Sequence, residues 1–353
     1  MNRDNYIGGS ISTRIKENNL LTKNDLERLV DYESLEEVLN ALNDSSYRDS
    51  IGKLKRPEEY EIILKDELEK AYEDIKEASD NKDILQYFIE RYNFHNLKVL
   101  AKEIIQNENY PKLYSDIANI DIDYIKKNLS VEGQEKSFLE SLDIEGYEPF
   151  NISSNTNDQY LAYVKNAIEK FKQTNNPKDL DLSLDRDYYK KILEDAQKIG
   201  IDELIQYTKE RIDLINTKIL LRIKAQDANP EELDNALIGG GFIDISDFKN
   251  FYLLDLGQII EKLANEKIGK YLVKYIDPSQ GINESLLNLE KAIDDHQVDY
   301  SKVAKTMTYG PEVLINYIVS KETEIKNLRI IFVSKLNSLP KEFTLERLRE
   351  TYA

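Results

Sequence analysis

The stretch GPEVLINYIVSKETEIKNLRIIFVSKLNSLPKEFTLERLRETY, Gly310 to Tyr352, decides how the rest of the chain reads. Gly310-Pro311 opens a helix, because proline at the first helical position lacks only an N–H that would have no intrahelical partner anyway. Apolar side chains recur at Leu314, Tyr317/Ile318, Ile325, Leu328 and Phe332, a spacing of threes and fours broken at Lys321. That spacing predicts one long amphipathic helix ending near Ser338-Leu339-Pro340, with a short charged helix after it. Its middle, Lys321-Glu322-Thr323-Glu324-Ile325-Lys326-Asn327-Leu328-Arg329, packs five charged groups and an asparagine around two apolar residues. A helix with one buried face has little room for so many charges.

The phrase occurs twice more. Arg91-Tyr92-Asn93-Phe94-His95-Asn96-Leu97-Lys98-Val99-Leu100 is one copy, and Arg211-Ile212-Asp213-Leu214-Ile215-Asn216-Thr217-Lys218-Ile219-Leu220 is another. Each has Asn, Asp or Glu, two residues, then Asn, Leu or Thr, Lys or Arg, and two aliphatics. A tyrosine precedes the asparagine by nine residues at Tyr87 and Tyr207 and by ten at Tyr317. Asn96, Asn216 and Asn327 are 120 and 111 positions apart, so the chain reads as three units, 1–109, 110–228 and 229–353. A second trace links the first and third units: Leu21-Thr22-Lys23-Asn24-Asp25-Leu26 is echoed by Ile243-Asp244-Ile245-Ser246-Asp247-Phe248.

Composition bounds the rest. At 353 residues the chain exceeds what one core usually serves. Only 13 Gly and 8 Pro leave few breaks for the turns of an all-β fold, so the class is all-α. The net charge of −18 repels phosphate backbones and anionic lipid alike, which argues against nucleic acid as a partner. The absence of cysteine excludes disulfides, thiolate metal sites and thiol nucleophiles. No apolar run approaches the length of a membrane span, so no direct insertion is expected, and the N-terminus lacks the apolar core of a signal peptide.

Taken in order, Tyr6–Leu20 reads as a helix. Two short helices follow, with Thr22 or Asn24 capping the first and Ser34 and Glu37 forming a capping box at the second. Long helices are expected over 58–79 and 83–106, shorter ones over 112–120 and 122–129. The segment Gly133–Asp158 reads as a connection. Helices then follow over 160–172, 186–198 and 201–225, with a fresh start at Asn229-Pro230. Each unit thus has short helices followed by longer antiparallel ones, the outline of a small bundle.

Reactive chemistry is hard to find. His95 and His296 have no His-x-x-x-His partner, so neither makes a zinc site. Ile238-Gly239-Gly240-Gly241-Phe242 lacks the Lys-Ser/Thr of a phosphate loop and reads more simply as a turn between helices; Gly8-Gly9-Ser10, near the start of the first helix, lacks the Lys as well. Carboxylate pairs such as Glu322/Glu324, Asp294-Asp295 and Glu58-Glu59 are too abundant to mark an acid–base site, and a solvated helix face accounts for them. Catalytic, metal, cofactor and nucleotide sites are therefore all expected to be absent. In the charged phrase, Glu322 and Lys326 are spaced for an intrahelical ion pair. Glu324, Asn327 and Arg329 cannot share one exposed face, so some of them should reach neighbouring helices. Recurrence favours a structural role for Asn96, Asn216, Tyr317, Lys321, Glu322, Glu324, Asn327, Leu328 and Arg329.

These residues also carry a resemblance. Tyr317, Lys321-Glu322, Glu324-Ile325, Asn327-Leu328-Arg329 and Leu348-Arg349-Glu350-Thr351-Tyr352 resemble the C subunit of the archaeal and bacterial A/V-type rotary ATPases, the counterpart of the eukaryotic V-ATPase d subunit. The likeness continues through Tyr6, Arg14-Ile15-Lys16, Leu20-Leu21-Thr22, Leu26, Leu29 and Asn96-Leu97-Lys98; Ser334-Lys335 departs from a frequent Gly-Lys. The resemblance implies three helical bundles forming a funnel around a pseudo-threefold axis. It implies a non-catalytic rotor adaptor on the cytoplasmic side of the membrane, held there by protein contacts. Its partners would be the D and F subunits of the central shaft and the membrane proteolipid ring, and its work torque transfer for ATP-linked proton or sodium transport. The net charge adds the expectation of an acidic socket for a basic shaft tip. The alternative is a helical-repeat interaction scaffold unrelated to ATPases; with only two His and no Cys or Trp, an acid-rich hydrolase or lyase fits least well.

Overall fold

The computed structural model describes residues 3–79, 82–129 and 154–352. Among these residues every regular element is helical and no strand occurs, which is the all-α class the sequence predicts. Local chemistry sets many of the boundaries. Thr22 and Asp25 form a reciprocal capping box ahead of Lys23–Asp31, as Asp255 and Gln258 do ahead of Leu256–Leu263. Ser34 caps Leu35–Leu42, but the Glu37 carboxylate accepts from the Glu33 N–H, one residue upstream of the box the sequence suggests. Asn176 and Asn229 cap helices whose first residues are Pro177 and Pro230. Gly200, at φ 73°, makes the left-handed turn between Pro177–Ile199 and Asp202–Ala225.

Several expected elements move. The helix expected over 112–120 shrinks to a single turn, Pro111–Leu113. The backbone beyond it is taken instead by asparagine side chains at Ser115 and Asn119. The helix expected from Arg186 begins nine residues earlier at Pro177, where Asn176 supplies the cap. The connection expected over 133–158 lies outside the described residues up to position 153; from Ser154 onward it is already helix, Ser154–Thr174. Gly8 and Gly9 lie within Ile7–Glu17, near the start of the helix expected over Tyr6–Leu20. There a Cβ on Gly9 would collide with the carbonyl oxygen of Ala78, so glycine permits the close helix crossing.

The hydrophobic residues group into four clusters. One gathers the N-terminal parts of the three helices that carry the repeated phrase. It contains Tyr87 and Phe88 from Lys82–Gln106, Leu204 and Tyr207 from Asp202–Ala225, and Leu314 and Tyr317 from Pro311–Leu336. The C-terminal parts of the same helices run into three separate clusters. Phe94 to Ala101 pack with Ile125, Tyr160 and Leu184; Leu214 to Ile223 pack with Phe248, Leu272 and Leu289; Ile325 to Phe332 pack with Leu26, Leu42 and Leu64. The packing groups therefore cross positions 109 and 228, and residues from both terminal regions share one cluster.

The Pro311–Leu336 helix departs from the amphipathic expectation. Every residue from Pro311 to Ile325 is buried, because Ile7–Glu17, Glu61–Ala78 and Ile282–Lys302 surround this half. Only beyond it does an exposed face appear, at Lys326, Arg329, Val333 and Leu336. Gly310, at φ 142°, sets the start: its N–H donates to Ser10 Oγ at 3.0 Å, while Arg3 pairs with Glu312 at 2.8 Å. The N-terminal region is thus fastened to the head of this helix.

Candidate functional site

The recurrent asparagines do one job three times. Asn96 Nδ2 donates to the Ser115 carbonyl at 3.0 Å and its Oδ1 accepts the Ser115 N–H at 2.8 Å. Asn216 makes the same pair with Ile238, at 2.8 and 2.9 Å. Asn327 makes it with Arg349, at 3.1 and 2.8 Å. An amide has one donor side and one acceptor side, so it satisfies both backbone groups of a single extended residue. Helices cannot offer an extended segment those bonds, and a buried backbone group needs them from somewhere.

The residue three positions earlier adds a second grip. Asn93 Oδ1 accepts the Asn119 N–H at 2.9 Å. Asp213 accepts the Phe242 and Ile243 N–H groups at 2.9 and 3.2 Å, and burial pushes its carboxyl up to about 6. The glycine run 239–241 thus serves as a clamped loop, and Asp213 occupies the space a Cβ on Gly241 would need. In the third copy this grip goes to the N-terminal region. Leu21, the counterpart of Ile243 in the sequence echo, donates its N–H to Glu324 at 2.5 Å.

The charges at the middle of the Pro311–Leu336 helix reach in different directions. Glu322 does not pair with Lys326. It accepts from Arg91 at 2.7 Å, from the Tyr72 hydroxyl at 2.6 Å and from Gln297 at 3.3 Å. Lys326 pairs with Asp294 at 2.5 Å, and Arg349 reaches the same carboxylate at 2.6 Å. The expected intrahelical pair thus gives way to two inter-helix ones, Glu322 to Arg91 on Lys82–Gln106 and Lys326 to Asp294 on Ile282–Lys302. Lys321 sits between Glu324 at 2.8 Å and Glu67 at 3.5 Å, with the Tyr47 ring centroid 4.6 Å away. Tyr47 donates to Glu324 at 2.6 Å, Tyr317 to Asp74 at 3.4 Å, and Arg329 grips Glu61 through two bonds of 2.8 Å. Leu328 is fully buried in the cluster shared by the two terminal regions.

Burial, with Glu322 and Glu324 nearby, drives the Tyr72 and Tyr47 phenols well above their ordinary value, so both remain hydrogen-bond donors. The Lys326 side chain is 48% exposed, yet the packed protein around its ammonium lowers its pKa, assisted by Arg91 and Arg211, although Asp294 opposes the shift. Burial would raise the Asp294 carboxyl, but Lys326 and Arg349 outweigh it and hold it below its usual range. The singled-out residues therefore form no common pocket; Tyr317, Lys321, Glu322 and Arg329 all reach partners on Glu61–Ala78, while Asn96, Asn216 and Asn327 each hold a segment of backbone. Sequence reasoning missed their partners Tyr47, Glu67, Tyr72 and Asp294. Arg91 and Arg211 were legible in part, since both stand five residues before the clamp asparagine, where the third copy has Glu322.

His296 is buried, donates from Nε2 to the Glu210 carboxylate at 2.9 Å, and stacks on Tyr207. His95 bonds the Leu113 carbonyl at 2.8 Å. No cluster of residues able to hold a metal occurs among the described residues. No described helix is long and apolar enough to cross a membrane.

A cavity of about 560 Å³ opens between Asp202–Ala225, Ile282–Lys302, Pro311–Leu336 and Lys341–Arg347. Its lining holds six basic side chains and two acidic ones, the opposite of the sign expected from the net charge of −18. The acids of this protein are concentrated elsewhere.

The chain has clear relatives. The profile of the ATP synthase (C/AC39) subunit family matches residues 12–347. The C subunit of the V-type sodium ATPase of Enterococcus hirae is 23% identical, with 96% of each chain covered. The C subunit of the A-type ATP synthase of Methanocaldococcus jannaschii is 26% identical over 96% of this chain and 84% of its own. That of Thermoplasma volcanium is 23% identical over 96% of both. With so nearly complete a match, the chain belongs to the ATP synthase (C/AC39) subunit family, the C subunits of the V-type and A-type ATPases.

Proposed function

We propose that the protein is the non-catalytic rotor adaptor of a V-type rotary ATPase. It couples a central shaft made of the D and F subunits to the membrane proteolipid ring and transmits torque for ATP-linked transport of protons or sodium ions. It works at the cytoplasmic face, held by protein contacts, and binds neither nucleotide nor nucleic acid. The observation that carries the reading is the family match over residues 12–347.

The internal contacts support it. Torque transfer needs a body that does not shear, and hydrogen-bonded side chains join helices distant in sequence, as Arg91–Glu322 and Tyr47–Glu324 do. The units 1–109, 110–228 and 229–353 are units of sequence repetition, each completed by its neighbour, and we take them as three similar bundles set in a funnel around a pseudo-threefold axis. The basic cavity is then the shaft socket. A pull-down from gently solubilised membranes with this chain as tagged bait tests the assignment. Recovery of the proteolipid ring and the shaft proteins, with ATP hydrolysis in the complex, is expected. Recovery of the bait alone, or only with soluble partners at low salt, overturns it.

A further inference from the structure

The positive lining of the cavity is only partly cancelled by the protein's own acids. Lys218 pairs with Glu290 at 2.6 Å, and Arg329 with Glu61 at 2.8 Å. Lys326 and Arg349 share one carboxylate, Asp294, which leaves that group one positive charge over. Arg347 lies over the Phe343 ring, 3.4 Å from its centroid, and makes no ion pair among the described residues. Arg211 makes none there either; its partners are neutral.

Arg211 carries the argument. Its Nη1 donates to the Tyr207 hydroxyl at 3.1 Å and to the Gln297 amide oxygen at 3.2 Å, and the Tyr189 hydroxyl is a third acceptor. A guanidinium has five N–H groups, so these contacts leave some to spare and leave its charge unmatched. Its counterpart Arg91 holds the same place before the clamp asparagine and is matched by Glu322. The crowding of cations is felt at Lys326, whose ammonium is lowered by its packing and further by Arg91 and Arg211. Arg211, Arg347 and the Lys326–Arg349 pair thus bring unmatched positive charge to one opening of about 560 Å³. A cation held away from bulk water without a counter-ion is costly, and an anion supplied by the solution offsets that cost.

We propose that the cavity binds a small free oxyanion of the phosphate class, held on Arg211 and neutralised further by Lys326, Arg349 and Arg347. A guanidinium fork donates parallel bonds to two oxygens of one phosphoryl group, an arrangement that a spherical halide cannot accept. Several unmatched charges around a single opening favour pyrophosphate over phosphate. The net charge of −18 keeps the chain off an anionic bilayer, so the free ion rather than a lipid headgroup is the ligand. The site goes beyond the rotor-adaptor reading and does not need it, because every group involved belongs to this chain.

The test titrates the full-length chain with sodium pyrophosphate and with sodium phosphate by isothermal titration calorimetry at constant ionic strength, with sodium chloride as the control. Arg211→Gln, Arg211→Lys and Arg347→Gln are compared with Lys198→Glu, a charge reversal at a 69%-exposed lysine remote from the cavity lining. Circular dichroism checks that each variant folds; Arg347→Gln, on an exposed residue, keeps the test decisive if the Arg211 variants do not. Expected is saturable binding, tighter for pyrophosphate and absent for chloride. Arg211→Gln should weaken it about tenfold or more, and Arg211→Lys, which keeps the charge without the fork, should weaken it less. Arg347→Gln should weaken it about threefold, with Lys198→Glu within about twofold of wild type. Pyrophosphate should also raise the melting temperature of the wild type but not of Arg211→Gln. Absence of saturable binding, or binding that the Arg211 and Arg347 variants leave unchanged, overturns the proposal. Tighter binding of ATP or ADP than of pyrophosphate overturns the small-oxyanion class. Sedimentation with phosphatidylcholine vesicles containing phosphatidic acid, lost in Arg211→Gln, overturns the free ion in favour of a headgroup. The rotor-adaptor reading stands or falls separately, by the pull-down from membranes.

Discussion

Replacing Asn216 by alanine is the sharpest probe of the repeated clamp. Asn216 is fully buried and Ile238, whose N–H and C=O it holds, is only 3% exposed. Alanine leaves both backbone groups without a partner and water has poor access to replace it. Each unsatisfied buried group costs about 1–3 kcal/mol, so Asn216→Ala is expected to destabilise by about 2–4 kcal/mol after partial relaxation. Asn96 and Asn327 make the same bonds to Ser115 and Arg349, which are only half-buried and can be hydrated. Their alanine variants should lose about 1–2 kcal/mol. Urea denaturation gives the order, and hydrogen–deuterium exchange of a peptide spanning 236–243 gives the location. Loss of protection there, with Asn216→Ala the most destabilised of the three, is expected. Equal effects at all three positions, or unchanged exchange at Ile238, would show that the clamp does not hold the loop.

Other outcomes follow from the same contacts. Glu322→Gln leaves Arg91 without a carboxylate and should cost about 2–3 kcal/mol, below the about 3–5 kcal/mol of a fully buried broken pair because Arg91 is 36% exposed. A second change, Arg91→Met, should recover part of that loss in thermal melting; no recovery would deny the pairing. Asp213→Asn places at this position the residue found at Asn93. Since the folded Asp213 carboxyl is raised to about 6 from an ordinary 3.8, it favours folding when protonated, and that contribution is lost as pH rises through 6. Wild type should therefore gain stability relative to Asp213→Asn as pH falls from about 7 to about 4, and parallel melting curves across that range would contradict the argument. Gly9→Ala should force the N-terminal helix away from Ala78 and lower the melting temperature, whereas Gly8→Ala, where a Cβ meets nothing, should not.

Much of this was legible in the chain. The three asparagines were visible as a repeat because the clamp they make is local, each partner lying 19 to 22 residues further on. The caps before Pro177 and Pro230 read directly. The helix expected over 112–120 failed for an instructive reason: Asn93 and Asn96 compete for its backbone, and propensity cannot register a competitor on another helix. The amphipathic reading of Pro311–Leu336 failed because periodicity counts apolar positions, while this helix buries charged ones by pairing them.

Residue types and short spacings were enough to specify the helical class, the threefold phrase with its asparagines, and the absence of a recognisable metal or phosphate motif. Where the charges go was settled by packing. Helical spacing places Glu322 near Lys326, but Arg91, Tyr72 and Asp294 outcompete that contact because burial rewards the geometry that satisfies every polar group at once. The sign of the cavity was settled in the same way. A net charge is a sum over the whole chain, whereas a field within a cleft belongs to the few side chains that line it, and these are brought together only when four helices pack.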